Sequence, residues 1–257
     1  MHRVATLLGL PSSAVVQSTC NSKMKILTTI FRVLFILCLP LFLITASLRI
    51  PAVSAYFYEH GFRQNQVGLT TGLDDSQLKV VARGMVTYFN SNQQYINLVV
   101  IKDGQPFQLF NEREIDHLKD VKGLFQLDGR VLLITGAFAI LYVLFYLFRG
   151  EHSRRYLAWG VVGGSALTLG LMVLLGIGIY FGFDQLLLDF HLISFANDFW
   201  ELNPATDYLI MLIPRDFMVY GTVVCTAATA LGALVLGGAA AGHLWFHRHG
   251  DKAATAE

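Results

Sequence analysis

Two histidines are the residues of this chain best suited to moving protons. His117 stands three positions before Asp120, and His191 seven before Asp198. On a helix each pair would share a face, so a carboxylate could orient each ring and raise its basicity. Imidazole titrates near pH 6.5 and serves as general base or acid at working pH. Taken alone, two such histidines are more often hydrogen-bonded structural residues, and the aspartates are more often helix-surface charges. Ser194 lies three residues from His191, but no GxSxG elbow or Walker loop accompanies it. The chain has no HExxH and no CxxC, so neither a metal site nor a cofactor is expected. His243, His247 and His249 read as part of a solvated tail. His60 has no assigned role.

The elements that must position these rings are set by hydropathy. Apolar stretches run over Ile26–Ile44, Val131–Phe148, Leu157–Phe181 and Val219–Phe246. Each approaches or exceeds the ~20 helical residues that cross a hydrocarbon layer about 30 Å thick. Of the 257 residues 54% are hydrophobic and 14% charged, too apolar a balance for a soluble domain of this size. The net charge of +1, with no basic cluster interleaved with aromatics, argues against nucleic acid as a partner. Cys38 and Cys225 fall inside apolar stretches and Cys20 precedes them, so no disulfide framework is implied. The fold class expected is an α-helical membrane protein, with four transmembrane helices under a small mixed α/β extracytoplasmic cap.

The expected division is a disordered tail over 1–23, a first transmembrane helix over 24–48 and a cap over 49–130. A second helix over 131–149, a cytoplasmic loop over 150–156 and a third helix over 157–182 follow. A second extracytoplasmic insert lies at the membrane interface over 183–217, then a fourth helix over 218–246 and a cytoplasmic tail over 247–257. The first apolar run could also be read as a cleaved signal peptide, but retention fits the charges better. Lys23, Lys25 and Arg32, then Arg149, Arg154 and Arg155, then Arg248 and Lys252 fall on one side if there are four spans. The positive-inside rule makes that side cytoplasmic, with both termini there and both inserts outside.

Local signals fill in the cap. Tyr56, Phe57, Tyr58 and Phe62 suit the membrane interface. Asp74 and its neighbours can cap a helix over Gln77–Phe89, whose Leu78, Val81, Ala82, Met85 and Phe89 recur at helical spacing. Ile96–Ile101 and Phe107–Phe110 read as strands joined by an Asp103-Gly104 turn. Asn111 with Glu114 reads as a capping box that starts a helix over Glu112–Phe125, carrying His117 close to the outer membrane surface. Pro204 should stop or turn any helix in the second insert.

Two segments carry a family resemblance. His-Leu-Lys-Asp-Val-Lys-Gly-Leu-Phe over His117–Phe125 is the first. The second is Phe-His-Leu-Ile-Ser-Phe-Ala-Asn-Asp-Phe-Trp-Glu-Leu-Asn-Pro-Ala-Thr-Asp-Tyr-Leu-Ile over Phe190–Ile210. Together they resemble the bacterial lipoprotein intramolecular transacylase family, from Met24 to the fourth span; the extension before Met24 departs from the pattern. The resemblance implies transfer of the sn-2 acyl chain of a diacylglyceryl lipoprotein to the α-amino group of its N-terminal cysteine, giving a lyso-form lipoprotein. It implies a diacylated lipoprotein substrate, membrane lipid as a further partner and the cell membrane as location. By motif it assigns catalysis to His117 and His191. Asp120, Asn197, Asp198 and Asp207 are then candidates to orient rings or bind substrate, and Phe190, Phe195 and Trp200 candidates to wall the pocket. Oligomeric state and the identity of the base are open. A lipid or lipoprotein ester hydrolase and a non-enzymatic accessory protein are the alternatives. A transporter with a charged midplane is disfavoured, since spans two to four lack Asp, Glu, Lys and Arg inside.

Overall fold

The computed structural model describes residues 13–254, with side-chain surroundings for residues 25–150 and 153–246. The elements are helix α1 (Ser13–Val53), α2 (Ala55–Gln64), α3 (Val67–Thr71), α4 (Asp75–Phe89), strands β1 (Val99–Lys102) and β2 (Gln105–Gln108), then α5 (Glu112–Leu147), α6 (Glu151–Ser194), α7 (Tyr208–Leu212) and α8 (Arg215–Ala254). Helices α1, α5, α6 and α8 are each long and apolar enough to cross a membrane. Their outer faces expose large apolar side chains, among them Leu133, Ile134, Leu174 and Val235, each at least 61% exposed. Exposed apolar surface on this scale suits lipid and not water. The chain is thus a multi-pass helical membrane protein.

Helix α6 packs most extensively on α8, and α1 lies against α5, α6 and α8. Close approach depends on small residues, because lipid supplies no hydrophobic drive between helices. At Gly164 of α6 a Cβ would come within 2.9 Å of the Leu39 side chain of α1. At the cap end Arg49 of α1 donates to the Phe125 carbonyl of α5 at 3.3 Å and pairs with Asp128 at 3.7 Å.

The sequence separates the cap helix over Glu112–Phe125 from the second span, whereas the structure fuses them. Helix α5 runs unbroken for 36 residues, about 54 Å. Gly123 and Gly129 are tolerated because a single helical glycine costs only about 1 kcal/mol and no proline follows. Nine charged residues between Glu112 and Arg130 keep that part of α5 out of hydrocarbon, so the crossing segment begins near Val131. His117 then sits about 21 Å before Val131 along the axis.

At the N-terminus α1 begins at Ser13, so part of the stretch expected to be a disordered tail is helical. Neither glycine nor proline interrupts 13–39. Residues 1–12 lie outside the described residues, as do 255–257 of the expected C-terminal tail. Residues 183–194, expected within an interfacial insert, continue α6 past a kink at Gly182 (φ −165°, ψ 53°).

The cap buries one core, built from α2, α4, the hairpin and the outer parts of α5 and α8. The stripe read on α4 is its buried face: Leu78, Val81, Ala82, Met85 and Phe89 are all buried, as is Tyr88. Each large apolar side chain there contributes roughly 1.5–3 kcal/mol by leaving water. Asp74 caps α4 by accepting from Ser76 and Gln77 N–H at 2.8 and 2.9 Å. The hairpin is antiparallel, with Lys102 opposite Gln105. Asp103 and Gly104 both adopt positive φ (52° and 75°), the geometry that matches strand twist in a two-residue turn. The first strand is shorter than the run that suggested it, and the second starts two residues earlier than its run.

One group is corrected. Phe57, Tyr58 and Phe62, read as interface aromatics, are 5%, 3% and 1% exposed and belong to the cap core. They lie on α2, which the sequence reading did not anticipate, and surround Phe217 of α8 at centroid distances of 5.5–6.1 Å. Only Tyr56 of the four faces outward, 68% exposed.

Candidate active site

The site is built on the first turns of α5. Asn111 and Glu114 form the expected capping box: Glu114 N–H donates to Asn111 Oδ1 at 3.0 Å, and Asn111 N–H to Glu114 Oε2 at 2.8 Å. The other oxygen, Glu114 Oε1, accepts from Leu209 N–H of α7 at 2.6 Å. This carboxylate is almost fully buried and ties the second insert to α5. Burial pushes its pKa up, against the backbone N–H groups that favour its ionised form.

Three residues beyond Glu114, His117 faces inward, 7% exposed. His191, near the end of α6, meets it with ring centroids 6.1 Å apart and planes 28° from parallel. The two rings come from segments 74 residues apart and share one cavity. Phe195 packs edge-on to His117 at 5.1 Å and lies 5.6 Å from His191; Trp200 covers His191 at 4.9 Å.

The rings are held differently. His191 Nδ1 donates to the Leu187 carbonyl one turn back at 2.7 Å. A carbonyl only accepts, so the proton belongs on Nδ1, leaving the Nε2 lone pair free. His117 Nδ1 is buried without a hydrogen-bond partner. Burial first, and then the neighbouring His191, lower the His117 pKa to about 4, with Asp120 acting in the opposite sense. His117 is therefore neutral at pH 7. A buried N–H without an acceptor is costly, so its proton belongs on Nε2.

The second insert is fastened by its own loop. Asn197 Nδ2 donates to Asp120 Oδ2 at 2.8 Å, and Trp200 Nε1 donates to the Asn197 carbonyl at 3.0 Å. These bonds link an α5 carboxylate to the indole lying on His191.

The carboxylates are not placed as the spacing suggests. Asp198 does not share a helix face with His191, because α6 ends at Ser194 and the chain turns. Its side chain is 71% exposed and pairs with Arg113 at 3.7 Å. Arg113 also donates to the Asp198 carbonyl. Asp120 does share the α5 face and acts on His117 through space, while its hydrogen bond goes to Asn197. Asp207 is buried away from the rings, accepting from Asn111 Nδ2 at 3.0 Å and Asn203 N–H at 2.7 Å.

A cavity of about 610 Å³ is lined by both rings and extends between the spans. Phe190 and Trp200 line it as expected; Phe195 backs the rings without lining it. No Asp, Glu, Lys or Arg faces it among the described residues. The sequence reading missed its deeper walls, Ser47 of α1, Met172 of α6 and Thr229 of α8, and the Leu187 carbonyl. No local pattern marks them, since each is an ordinary residue of an apolar helix. Among the described residues no group of three or more His, Cys, Asp or Glu is placed to hold a metal ion.

A family model described as the lipoprotein intramolecular transacylase Lit matches residues 33–218. Among solved structures, that of the membrane-integral lipoprotein intramolecular transacylase Lit from Bacillus cereus is similar. It shares 14% identity over 87% of this chain and 98% of that one, with a TM-score of 0.74. A variant of that protein with a histidine changed to arginine gives a TM-score of 0.74 at 14% identity, over 91% of this chain and 99% of that one. A histidine-to-alanine variant gives 0.72 at 14%, over 89% and 98%. At this identity the likeness speaks for the fold. No curated protein matches the chain significantly.

Proposed function

Because this chain belongs to the lipoprotein intramolecular transacylase family and is accordingly an acyltransferase acting on lipoproteins, we propose that His117 and His191 carry its reaction. The transfer runs from the sn-2 ester of a diacylglyceryl cysteine to the α-amino nitrogen of the same residue. The single observation that carries the assignment is the meeting of the two imidazoles in the wall of one apolar cavity.

The roles follow from the two hydrogen-bonding states. An α-ammonium has a pKa near 8, so near neutral pH it gives one proton to water and leaves the free amine as the nucleophile. As the nitrogen attacks the ester carbon, its proton passes to His191 Nε2, the lone pair left free by the Leu187 bond. His117, neutral and protonated on Nε2, donates to the developing oxyanion; a neutral imidazole serves as such a donor without transferring its proton. The carbon–oxygen bond then breaks, and the His191 imidazolium returns the proton to the glyceryl oxygen. The products are an N-acyl amide and a free 2-hydroxyl, and no enzyme-bound acyl group forms.

The attack closes a ring through the cysteine nitrogen, Cα, Cβ, sulfur, two glyceryl carbons, the ester oxygen and the acyl carbon. Such a ring closes slowly unless the chain is held folded, so positioning supplies much of the acceleration. Trp200 and Phe190 supply an apolar wall that keeps water from the ester. The basic residues at one end of the spans support an extracytoplasmic cap with both termini in the cytoplasm. Membrane lipid is the medium that delivers the substrate.

The test is co-expression with a model lipoprotein and mass spectrometry of its N-terminal peptide. The acyl group should move to nitrogen without release of fatty acid. Free fatty acid as the product would favour a hydrolase. Unchanged transfer by a His117→Ala or His191→Ala variant would remove that residue from the mechanism.

A further inference from the structure

The cavity does not stop at the histidines. On α8 its lining runs from Phe217 to Thr229 and includes Gly221 and Cys225, together with Thr222 and Thr226, whose hydroxyls donate to the Met218 and Thr222 carbonyls. From Phe217 to Thr229 this wall is about 18 Å long. Helix α1 supplies Ile44, Ser47 and Leu48, and α6 supplies Met172 and Leu175. The hydroxyls along it are occupied. Thr229 Oγ1 lies 2.9 Å from both Ser47 Oγ and the Cys225 carbonyl, and Ser47 Oγ donates to the Ile44 carbonyl at 2.8 Å. A ligand therefore meets an apolar, uncharged slot. Below Thr229 the helices close. Leu43 packs against Gly232, where a Cβ would meet its Cδ2 at 3.1 Å, and Ala233 is fully buried with Leu39 and Leu43.

We infer that this slot is a hydrocarbon ruler: the migrating acyl chain runs from the histidine pair down the α1–α6–α8 cleft, and the Leu43–Thr229 floor limits its length. The inference rests on the transacylase reading. An all-trans chain advances about 1.25 Å per carbon, the projection of a carbon–carbon bond of about 1.5 Å, so the α8 wall matches about 14 carbons. Branching and extra length are resisted because packed helices do not part without losing contacts.

The experiment uses the full-length protein with diacylglyceryl lipopeptides differing only in the sn-2 chain: lauroyl, myristoyl, palmitoyl and stearoyl, supplied in competition. The readout is the distribution of N-acyl products by mass spectrometry. For the wild type, product should fall at stearoyl relative to myristoyl by at least about tenfold, the penalty for even one methylene that a hydrophobic pocket does not accommodate. Thr229→Phe raises the floor and should shift the lauroyl-to-palmitoyl ratio at least tenfold towards lauroyl. Leu43→Ala lowers it and should shift the distribution towards stearoyl, a gain that misfolding does not mimic. Leu231→Phe, on the lipid-exposed side of α8, should keep the wild-type distribution. N-acyl product with the same length distribution in Thr229→Phe and Leu43→Ala as in the wild type would overturn the ruler alone. Free fatty acid in place of N-acyl peptide from the wild type would overturn the transacylase reading and the ruler with it.

Discussion

The two histidine-bearing segments hold identical side chains by opposite means. His117 stands on α5, a helix continuous with a membrane span, and is fixed by burial; its Nδ1 has no partner. His191 stands beyond the Gly182 kink of α6, is only part-buried, and is fixed by bonds: its own to Leu187, and the Trp200–Asn197–Asp120 chain behind the indole. Burial makes the first ring a neutral donor. The carbonyl bond makes the second an acceptor at Nε2. One residue type thus yields two chemical functions within 6.1 Å, because protonation state is set by surroundings.

The comparison can be broken most directly at the rings. His191→Ala and His117→Ala should each lower turnover by roughly 10²–10⁴-fold, measured as N-acyl peptide formed per unit time. The two sites should then part company. His117→Gln, which keeps an N–H donor, should recover part of the loss, whereas His191→Gln, which lacks a base, should not. Equal recovery at both positions would erase the proposed division of labour.

A smaller effect is expected from the support behind His191. Asn197→Ala removes the bond to Asp120 and should cut turnover about tenfold. Asp120→Asn should cut it less, since an amide can still accept. If Asn197 acts only through structure, the loss of turnover should match a loss of thermal stability; a positioning role predicts lower turnover with little change in unfolding temperature.

The buried ring makes a pH prediction. Protonating His117 costs more in the folded protein, where its pKa is about 4, than in the unfolded chain, near 6.5. Between those values the unfolded state binds more protons, so this contribution is complete above about pH 6.5 and is lost as pH falls towards 4. Thermal unfolding in detergent should show that slope, and His117→Gln should flatten it. The smallest effect is expected at Asp198→Ala. An ion pair exposed to 71% on its acidic side is worth below about 0.5 kcal/mol, and turnover should stay close to wild type.

Sequence reading succeeded where the cause was local. The Asn111–Glu114 box, the Asp74 cap and the Asp103-Gly104 turn were legible because each is completed within a few residues. It failed where partners were distant. Phe57 and Phe62 look like interface aromatics until Phe217, some 155 residues on, is packed between them. Asp198 looks like a partner of His191 until the helix that would carry both ends at Ser194. The placement of Asp207 depends on Asn111, 96 positions earlier.

The run of amino acids by itself determined four membrane crossings, a mixed cap and a pair of histidines worth watching, since hydropathy and capping are properties of contiguous residues. Only the tertiary structure decided that the two rings meet, that one is dry and the other bonded, and that an apolar slot leads from them between the helices. Those outcomes depend on how α1, α5, α6 and α8 pack, and packing joins residues whose separation along the chain carries no trace of the contact.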